Sequence, residues 1–211
     1  MIEWNQILRE EWYSSEKPDE LVVNFATSLR KQNKKTRVLD LGCGAGRNLV
    51  YMASQGFEAH GLDTSETGLN STKERLRKRD LKAYIAKGDV HLLPYRDTYF
   101  DAVMCLFVIY HQKLAGIQVT ISEIHRVLRK RGVLIINFQS KQSHMYGKGT
   151  KVERDTFIQQ AGPEKGIPHH FSDKQEITRL LKDFQTTNVK LRERKSDDGY
   201  FESRWIVTAT T

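Results

Sequence analysis

Cysteine and proline are scarce, with two cysteines and four prolines in 211 residues. Cys43 lies in a glycine turn and Cys105 inside an apolar run, so neither a disulfide framework nor a cysteine-based metal site is suggested. This usage is that of a reduced compartment, and a cytoplasmic protein is expected. No apolar run approaches the ~18 residues of a membrane span. The opening MIEWNQILREEW is acidic and amphipathic, which argues against a signal peptide. HExxH-like spacing is absent, and although His169 and His170 are adjacent, no acid stands beside them in sequence, so no metal is expected. Internal repeats and domain-scale linkers are also missing. The chain therefore reads as one domain, 1–211, long enough for a single α/β core.

Charge is not scarce: 34 Lys and Arg against 26 Asp and Glu give a net charge of +8, which raises the question of nucleic acid. The basic residues cluster at 30–37, 73–79, 126–131 and 190–195. The first three clusters fall in or just after the last turns of predicted helices, where cations complement the helix dipole and face water. No aromatic residues interleave them to stack on bases. Solvated faces are the better reading, with RNA kept as an alternative partner.

The most informative stretch is VLDLGCGAGRN, Val38 to Asn48. β-favouring residues run into Gly42, Gly44 and Gly46, and a helix-forming segment follows: a strand, a tight turn and a helix N-terminus. Glycine lets the backbone approach a ligand where a Cβ would collide. A dinucleotide site wants G-x-G-x-x-G, whereas here the third glycine comes one residue early and Arg47 occupies that position. Asp40 would repel a pyrophosphate and attract an ammonium or sulfonium. These two departures argue against a nicotinamide-dependent oxidoreductase.

Further along, FEAHGLDTSE reads as a second strand ending in Asp63, 21 residues beyond Gly42, where a ribose-binding acid is expected in a βαβ unit. A third strand end, IAKGDV, carries Asp89 and Val90. From Val38 the pattern alternates, with strands expected at 37–41, 58–63, 82–86, 100–109 and 133–139 and helices at 47–55, 65–79 and 117–130. The continuous apolar run 102–109 fits a strand buried on both faces. Asp101 lies at the wrong end of that strand for catalysis, because open α/β sheets bind ligands outside their carboxyl ends.

The D-x-G-x-G-x-G form, the acids that follow in order, and EIHRVLRKRGVLII at 123–136 together resemble the class I methyltransferases that use S-adenosyl-L-methionine. In that family a helix reading E-x-x-R-V-L precedes a Pro-Gly-Gly turn; here Lys130 and Arg131 replace the first two turn residues and only Gly132 remains. The resemblance implies a doubly wound, mostly parallel, seven-stranded Rossmann-like α/β sheet ending in an antiparallel hairpin. It also implies S-adenosyl-L-methionine as cofactor, left as S-adenosyl-L-homocysteine, with contacts from Asp40, Gly42, Gly44, Gly46, Asn48, Asp63, Thr64, Asp89, Val90 and Leu106. Asp89 would face the adenine amino group and the Val90 N–H a ring nitrogen. The parts expected are an N-terminal helical cap (1–35), a cofactor-binding core (36–140), a possible substrate lid (141–171) and a C-terminal helix and hairpin (172–211).

Within the cap, 1–13 reads as an amphipathic helix with Trp4, Ile7, Leu8 and Trp12 on its apolar side, and Pro18 opens a second helix. Trp12 and Tyr13 are candidates to cover the cofactor mouth. Residues 141–171 show weak periodicity and follow the fifth strand, so they should pass over the substrate edge. Ser172 with Gln175 would cap the following helix. Tyr110 and His111, at the end of the central strand, and His170 are the candidate catalytic residues, with Tyr146 a weaker lid candidate. No Asn-Pro-Pro-Tyr follows the central strand and no proline precedes Cys105, so adenine N- and cytosine C5-methylation are disfavoured. A small-molecule acceptor leads, with RNA methylation and non-catalytic cofactor binding as alternatives.

Overall fold

The computed structural model describes residues 4–10, 13, 15–30, 36–195 and 201–211. In chain order, α1 (Trp4–Ile7) and α2 (Glu20–Arg30) precede β1 (Arg37–Leu41), α3 (Arg47–Ser54), β2 (Glu58–Asp63) and α4 (Glu66–Lys78). There follow β3 (Tyr84–Lys87), β4 (Phe100–Cys105), α5 (Leu114–Val127) and β5 (Leu128–Ser140). The chain closes through β6 (Thr150–Glu153), β7 (Thr156–Ile158), β8 (Pro168–Ser172), α6 (Lys174–Leu180), β9 (Thr186–Lys195) and β10 (Phe201–Thr210). Seven strands run β3-β2-β1-β4-β5-β10-β9, the first five parallel and the last two an antiparallel hairpin laid against β5.

Each face of the sheet is covered because each helix has one apolar stripe. Val22, Phe25 and Leu29 of α2, Leu49 and Met52 of α3, and Leu69 and Leu76 of α4 form one core. Ile117, Ile121 and Ile124 of α5 and Ile177 of α6 form the other. All six residues of β4 are buried, as a strand covered on both faces requires. Asp101 has the structural role expected of it: its Oδ2 accepts from the Arg37 backbone N–H at 2.7 Å.

The structure departs from the sequence reading at several boundaries. The central strand stops at Cys105, not at 109, because Phe107 adopts φ +63° and donates its backbone N–H to Asn137 Oδ1 at 2.7 Å instead of to a neighbouring strand. β5 starts at Leu128, with an irregularity opposite Phe100 and Arg131 at φ +62°. Gly132 therefore lies inside this strand and is not the stop of α5; a Cβ on it would come 2.7 Å from the Arg129 carbonyl oxygen. The first helix is a single turn among the described residues, and Trp12 lies outside them. Ser172 is the last residue of β8, so Asp173 caps α6 in its place, its Oδ1 accepting from the Glu176 N–H at 2.9 Å.

The expected lid is built instead of loose. β6, β7 and β8 form an antiparallel piece, and β8 also runs parallel to the overhanging end of β5 at Gln139 and Ser140. It occupies the edge that β4 vacates after Cys105, and the His170 N–H donates to the Tyr110 carbonyl at 2.8 Å.

The E-x-x-R helix is held by its own arginine. Arg126 donates to both carboxylate oxygens of Glu123 at 2.7 Å, to Asp97, and to the carbonyls of Leu93 and Tyr95. Arg126→Ala is expected to lower stability by roughly 1–2 kcal/mol, discounted because the side chain is partly exposed, and to leave ligand affinity unchanged. Thermal denaturation and titration calorimetry on the same preparation check both halves.

Candidate functional site

β1 ends in Gly42, Gly44 and Gly46, at φ +75°, +51° and +83°. All three lie in the region that only glycine enters cheaply. The turn is pinned from three sides. The N–H groups of Gly42 and Cys43 donate to the Leu62 carbonyl at the end of β2, and the Gly46 N–H donates to Cys43 at 2.9 Å. The Gly44 carbonyl accepts from Thr72 Oγ1 at 2.9 Å, and the Gly44 N–H donates to Asp63 Oδ2 at 2.7 Å.

Asp63 stands at the end of β2, with Oδ1 accepting from the Ser65 N–H at 2.8 Å. Its carboxylate braces the glycine turn, a role the sequence did not disclose. Ser65, not Asp63, caps α4, its Oγ accepting from the Gly68 N–H. Burial raises the Asp63 carboxyl above its ordinary range, although the Ser65, Gly44 and Thr64 N–H groups pull the other way. Asp40 is 4 % exposed and its Oδ2 is buried without a hydrogen-bond partner. Burial first, then the Asp63 charge, push its pKa up to about 7 against the pull of Arg47 and the Leu49 N–H. A buried acceptor with nothing to accept is costly unless a ligand supplies a donor or a positive charge.

The remaining expected contacts divide. Thr64 is exposed at the carboxyl edge and Leu106 is buried in the core beneath it. Asp89 is exposed, its Oδ1 accepting from the His91 N–H at 2.9 Å, and Val90 beside it is partly buried. Asn48 is committed elsewhere: its Oδ1 accepts from the Asp19 N–H at 3.0 Å, tying α3 to the start of α2.

The N-terminal segment lies across this edge. Asn5 Oδ1 accepts from Ser65 Oγ and the Thr67 N–H, the Leu8 side chain packs on Gly44, and the Trp4 ring lies 5.0 Å from that of His111. Tyr13 donates to Glu164 Oε1 at 3.0 Å, and burial with that acid raises its hydroxyl well above the ordinary range. On the other side of Arg47 opens a cleft of about 250 Å³, lined by Asp19, Arg47, Phe107, Asn137, Glu202 and Arg204 among others. Asn137 Nδ2 and Arg204 Nε are buried there without partners.

Tyr110 and His111 follow the end of β4, as expected, and both are closed in: Tyr110 is 3 % exposed and the His111 side chain 6 %. His170 is separated from them. Its Nδ1 lies 2.7 Å from Thr156 Oγ1 and its Nε2 3.0 Å from Glu176 Oε2, a buried network on the opposite side of β8. Alternation along that strand turns His169, not His170, toward His111, with ring centroids 4.8 Å apart. Tyr146 donates to Asp155 at 2.7 Å and packs on Phe157 and Phe171 within the β6–β8 piece.

Residues 39–136 match the family model described as a methyltransferase domain. The ubiquinone biosynthesis O-methyltransferase of Rickettsia typhi is 29% identical over 115 residues, 54% of this chain and 46% of that protein. The chain spans about half the length of the curated relatives it matches. A methyltransferase structure from Methanosarcina mazei has a TM-score of 0.72 at 22% identity, covering 87% of this chain and 96% of that one. The 1,6-didemethyltoxoflavin-N1-methyltransferase of Burkholderia thailandensis, solved with S-adenosylhomocysteine, has a TM-score of 0.66 at 17% identity over 96% of this chain and 81% of its own. Strand order and glycine turn are those of a Rossmann-like α/β domain, the fold that these solved methyltransferases share. Over its core, residues 39–136, the chain is similar to the methyltransferase domain.

Proposed function

We propose that this chain transfers the methyl group of S-adenosyl-L-methionine to a small-molecule acceptor. The observation that carries the reading is the small cleft beside Arg47, directly after the glycine turn and outside the carboxyl ends of the strands. Its volume, about 250 Å³, is on the scale of a small acceptor. Two of the similar proteins, one named for ubiquinone biosynthesis and one solved with 1,6-didemethyltoxoflavin, support the same class.

The residues present fit the cofactor. Gly42, Gly44 and Gly46 allow close approach, Asp40 offers a buried, unpartnered acceptor to a cationic group, and Asp63 stands where ribose hydroxyls would donate. Asp89 and Val90 would meet the adenine, flanked by Thr64 and Leu106, while Asn48 acts by holding α2. When bound, the cofactor supplies a methyl carbon on a good leaving group, so the protein needs no nucleophile of its own. Its contribution is to hold the acceptor in line and exclude water, worth up to ~7–11 kcal/mol of barrier. Phe107 and Ile206 line the cleft, while Tyr110 and the Trp4–His111 pair lie closed in just beyond the end of β4. Arg47, Arg192, Arg194 and Arg204 outnumber Asp19 and Glu202 around the cleft, which favours an acceptor with a negative charge.

Methyl label from S-adenosyl-L-methionine, followed into the small-molecule, RNA and protein fractions of a cell extract, tests the reading. Label is expected among small anionic molecules. Label in RNA would transfer the assignment to RNA methylation, and cofactor binding with no label in any fraction would favour a binding protein. Asp63→Ala is expected to weaken cofactor affinity at least ~10-fold, because ribose hydroxyls and the Gly44 N–H lose their acceptor together. Unchanged affinity by calorimetry would remove Asp63 from the site.

A further inference from the structure

Glu164 is far from His111 in sequence, yet the turn between β7 and β8 brings it between two histidines. That turn is fixed by its own backbone: Gly162 and Gly166 take φ +79° and +85°, the Gly166 N–H donates to Gln159 at 2.8 Å, and the Ile167 N–H donates to Glu164 at 3.0 Å. The His170–Tyr110 backbone bond sets β8 beside the end of β4, so His169 and His111 face one another. His169 Nε2 lies 3.0 Å from Glu164 Oε2, and His111 Nε2 lies 3.5 Å from Glu164 Oε1. The three donor atoms all lie within 4.8 Å of one another.

Such spacing suits the edges of a coordination polyhedron. A divalent ion at about 2.0–2.1 Å from each donor places adjacent donors about 3.4 Å apart in a tetrahedron; the two imidazole–carboxylate separations, one to each Glu164 oxygen, are near that value, and all three donors fall within 4.8 Å of one another. The histidine side chains are only 6 % and 5 % exposed. His169 Nδ1 is buried without a hydrogen-bond partner, which is costly in a closed interior, and the Nε2 atoms of both histidines are turned to Glu164. Glu164 is also held from behind, its Oε1 accepting from the Tyr13 hydroxyl at 3.0 Å, as an outer-shell donor holds a ligating carboxylate. Trp4 and Tyr110 wall the cluster with aromatic rings.

We propose that His111, Glu164 and His169 bind a divalent transition-metal ion. Two imidazoles and one carboxylate suit Zn²⁺, Fe²⁺ or Co²⁺ and are poorly matched to Mg²⁺ or Ca²⁺, which take oxygen ligands. Three protein ligands leave at least one position open, as in sites that bind a further molecule. His111 follows β4 at the carboxyl edge, so that position belongs to the side of the sheet where the acceptor would lie; this last role rests on the proposed methyl transfer, while binding of the ion does not.

The test is metal binding by the purified full chain, stripped with chelator and titrated with Zn²⁺ alone and with Co²⁺ alone, without cofactor. One ion per chain is expected, together with a visible Co²⁺ absorption band and a metal-dependent rise in melting temperature. Glu164→Gln and His169→Ala are each expected to weaken binding at least 10-fold and to abolish the cobalt band, while His144→Ala retains both. Unaltered circular dichroism in Glu164→Gln, which keeps the side-chain volume, separates ligand loss from misfolding. No saturable binding of either ion, or binding that survives both substitutions, overturns the site and leaves the cluster as a buried imidazole–carboxylate network. Failure of metal binding with methyl transfer intact would leave the proposed function standing; the reverse outcome would leave the metal site standing without it.

Discussion

Gly46→Ala is expected to lower the melting temperature by roughly 5–15 °C and to remove measurable cofactor binding. Two costs add at this position. The backbone stands at φ +83°, where an L side chain costs roughly 1–2 kcal/mol. A Cβ there would also meet Thr72 at 2.5 Å from Oγ1, 2.7 Å from Cγ2 and 2.9 Å from Cβ. Thr72 has little room to give: it is β-branched, fully buried in α4, and its hydroxyl holds the Gly44 carbonyl. Overpacking of this kind costs roughly 1–3 kcal/mol, and each kcal/mol moves the transition of a domain this size by roughly 2–4 °C. Gly56→Ala is the matched comparison, because Gly56 has φ +84° with nothing within 4 Å of the added Cβ. It should show the strain alone, as a fall of a few degrees with cofactor affinity intact. Equal losses in the two variants, read by circular dichroism melts and calorimetry, would show that packing against α4 is not what shapes the turn.

Asp40→Asn is expected to have opposite effects on folding and on binding. The folded carboxyl titrates near 7 and the unfolded one near 3.8. Below pH ~4 both states hold the proton; as pH rises toward 7 the unfolded chain releases it first, so this group's contribution to stability is lost over that interval and stays lost above it. Asn cannot ionise, so the variant should be more stable than the parent above pH 7, by on the order of 2–4 kcal/mol, and the difference should shrink toward pH 4. Binding runs the other way. A cationic cofactor group favours the ionised carboxylate, so the parent's affinity for S-adenosyl-L-methionine should fall as pH drops below about 7. The variant should bind roughly 10–100-fold more weakly at pH 8, with a flatter pH profile. Calorimetry and thermal melts across pH 6–8.5 measure both. Parent-like affinity in the variant would mean that Asp40 faces no cofactor charge.

What was legible in the sequence is what local chemistry dictates. β1 and β2 begin and end where their apolar residues and flanking turns say they should, and the three glycines take the left-handed conformations that their spacing implies. The C-terminal hairpin follows from two β-favouring runs. Boundaries were lost where a distant partner competes with the local pattern. The apolar run 102–109 continues past Cys105 as sequence, but Asn137 on β5 captures the Phe107 N–H and ends the strand. The segment 141–171 is polar and aperiodic because its three strands are short and lie in a small antiparallel piece, where alternation spans too few residues to register.

The candidate site divides in the same way. Residue type and order alone determined that this chain would present a glycine turn, an acid before it and acids at the next two strand ends, since one βαβ path carries them all. Tertiary structure alone decided which histidine meets His111 and which acid joins them. A one-residue difference on β8 turns His169 inward and His170 away, and Glu164 reaches both imidazoles only because β8 pairs with the overhang of β5 and closes the turn above it. No spacing in the chain encodes that meeting, because contacts between sequence-distant residues are set by strand register and burial, and those are properties of the packed sheet.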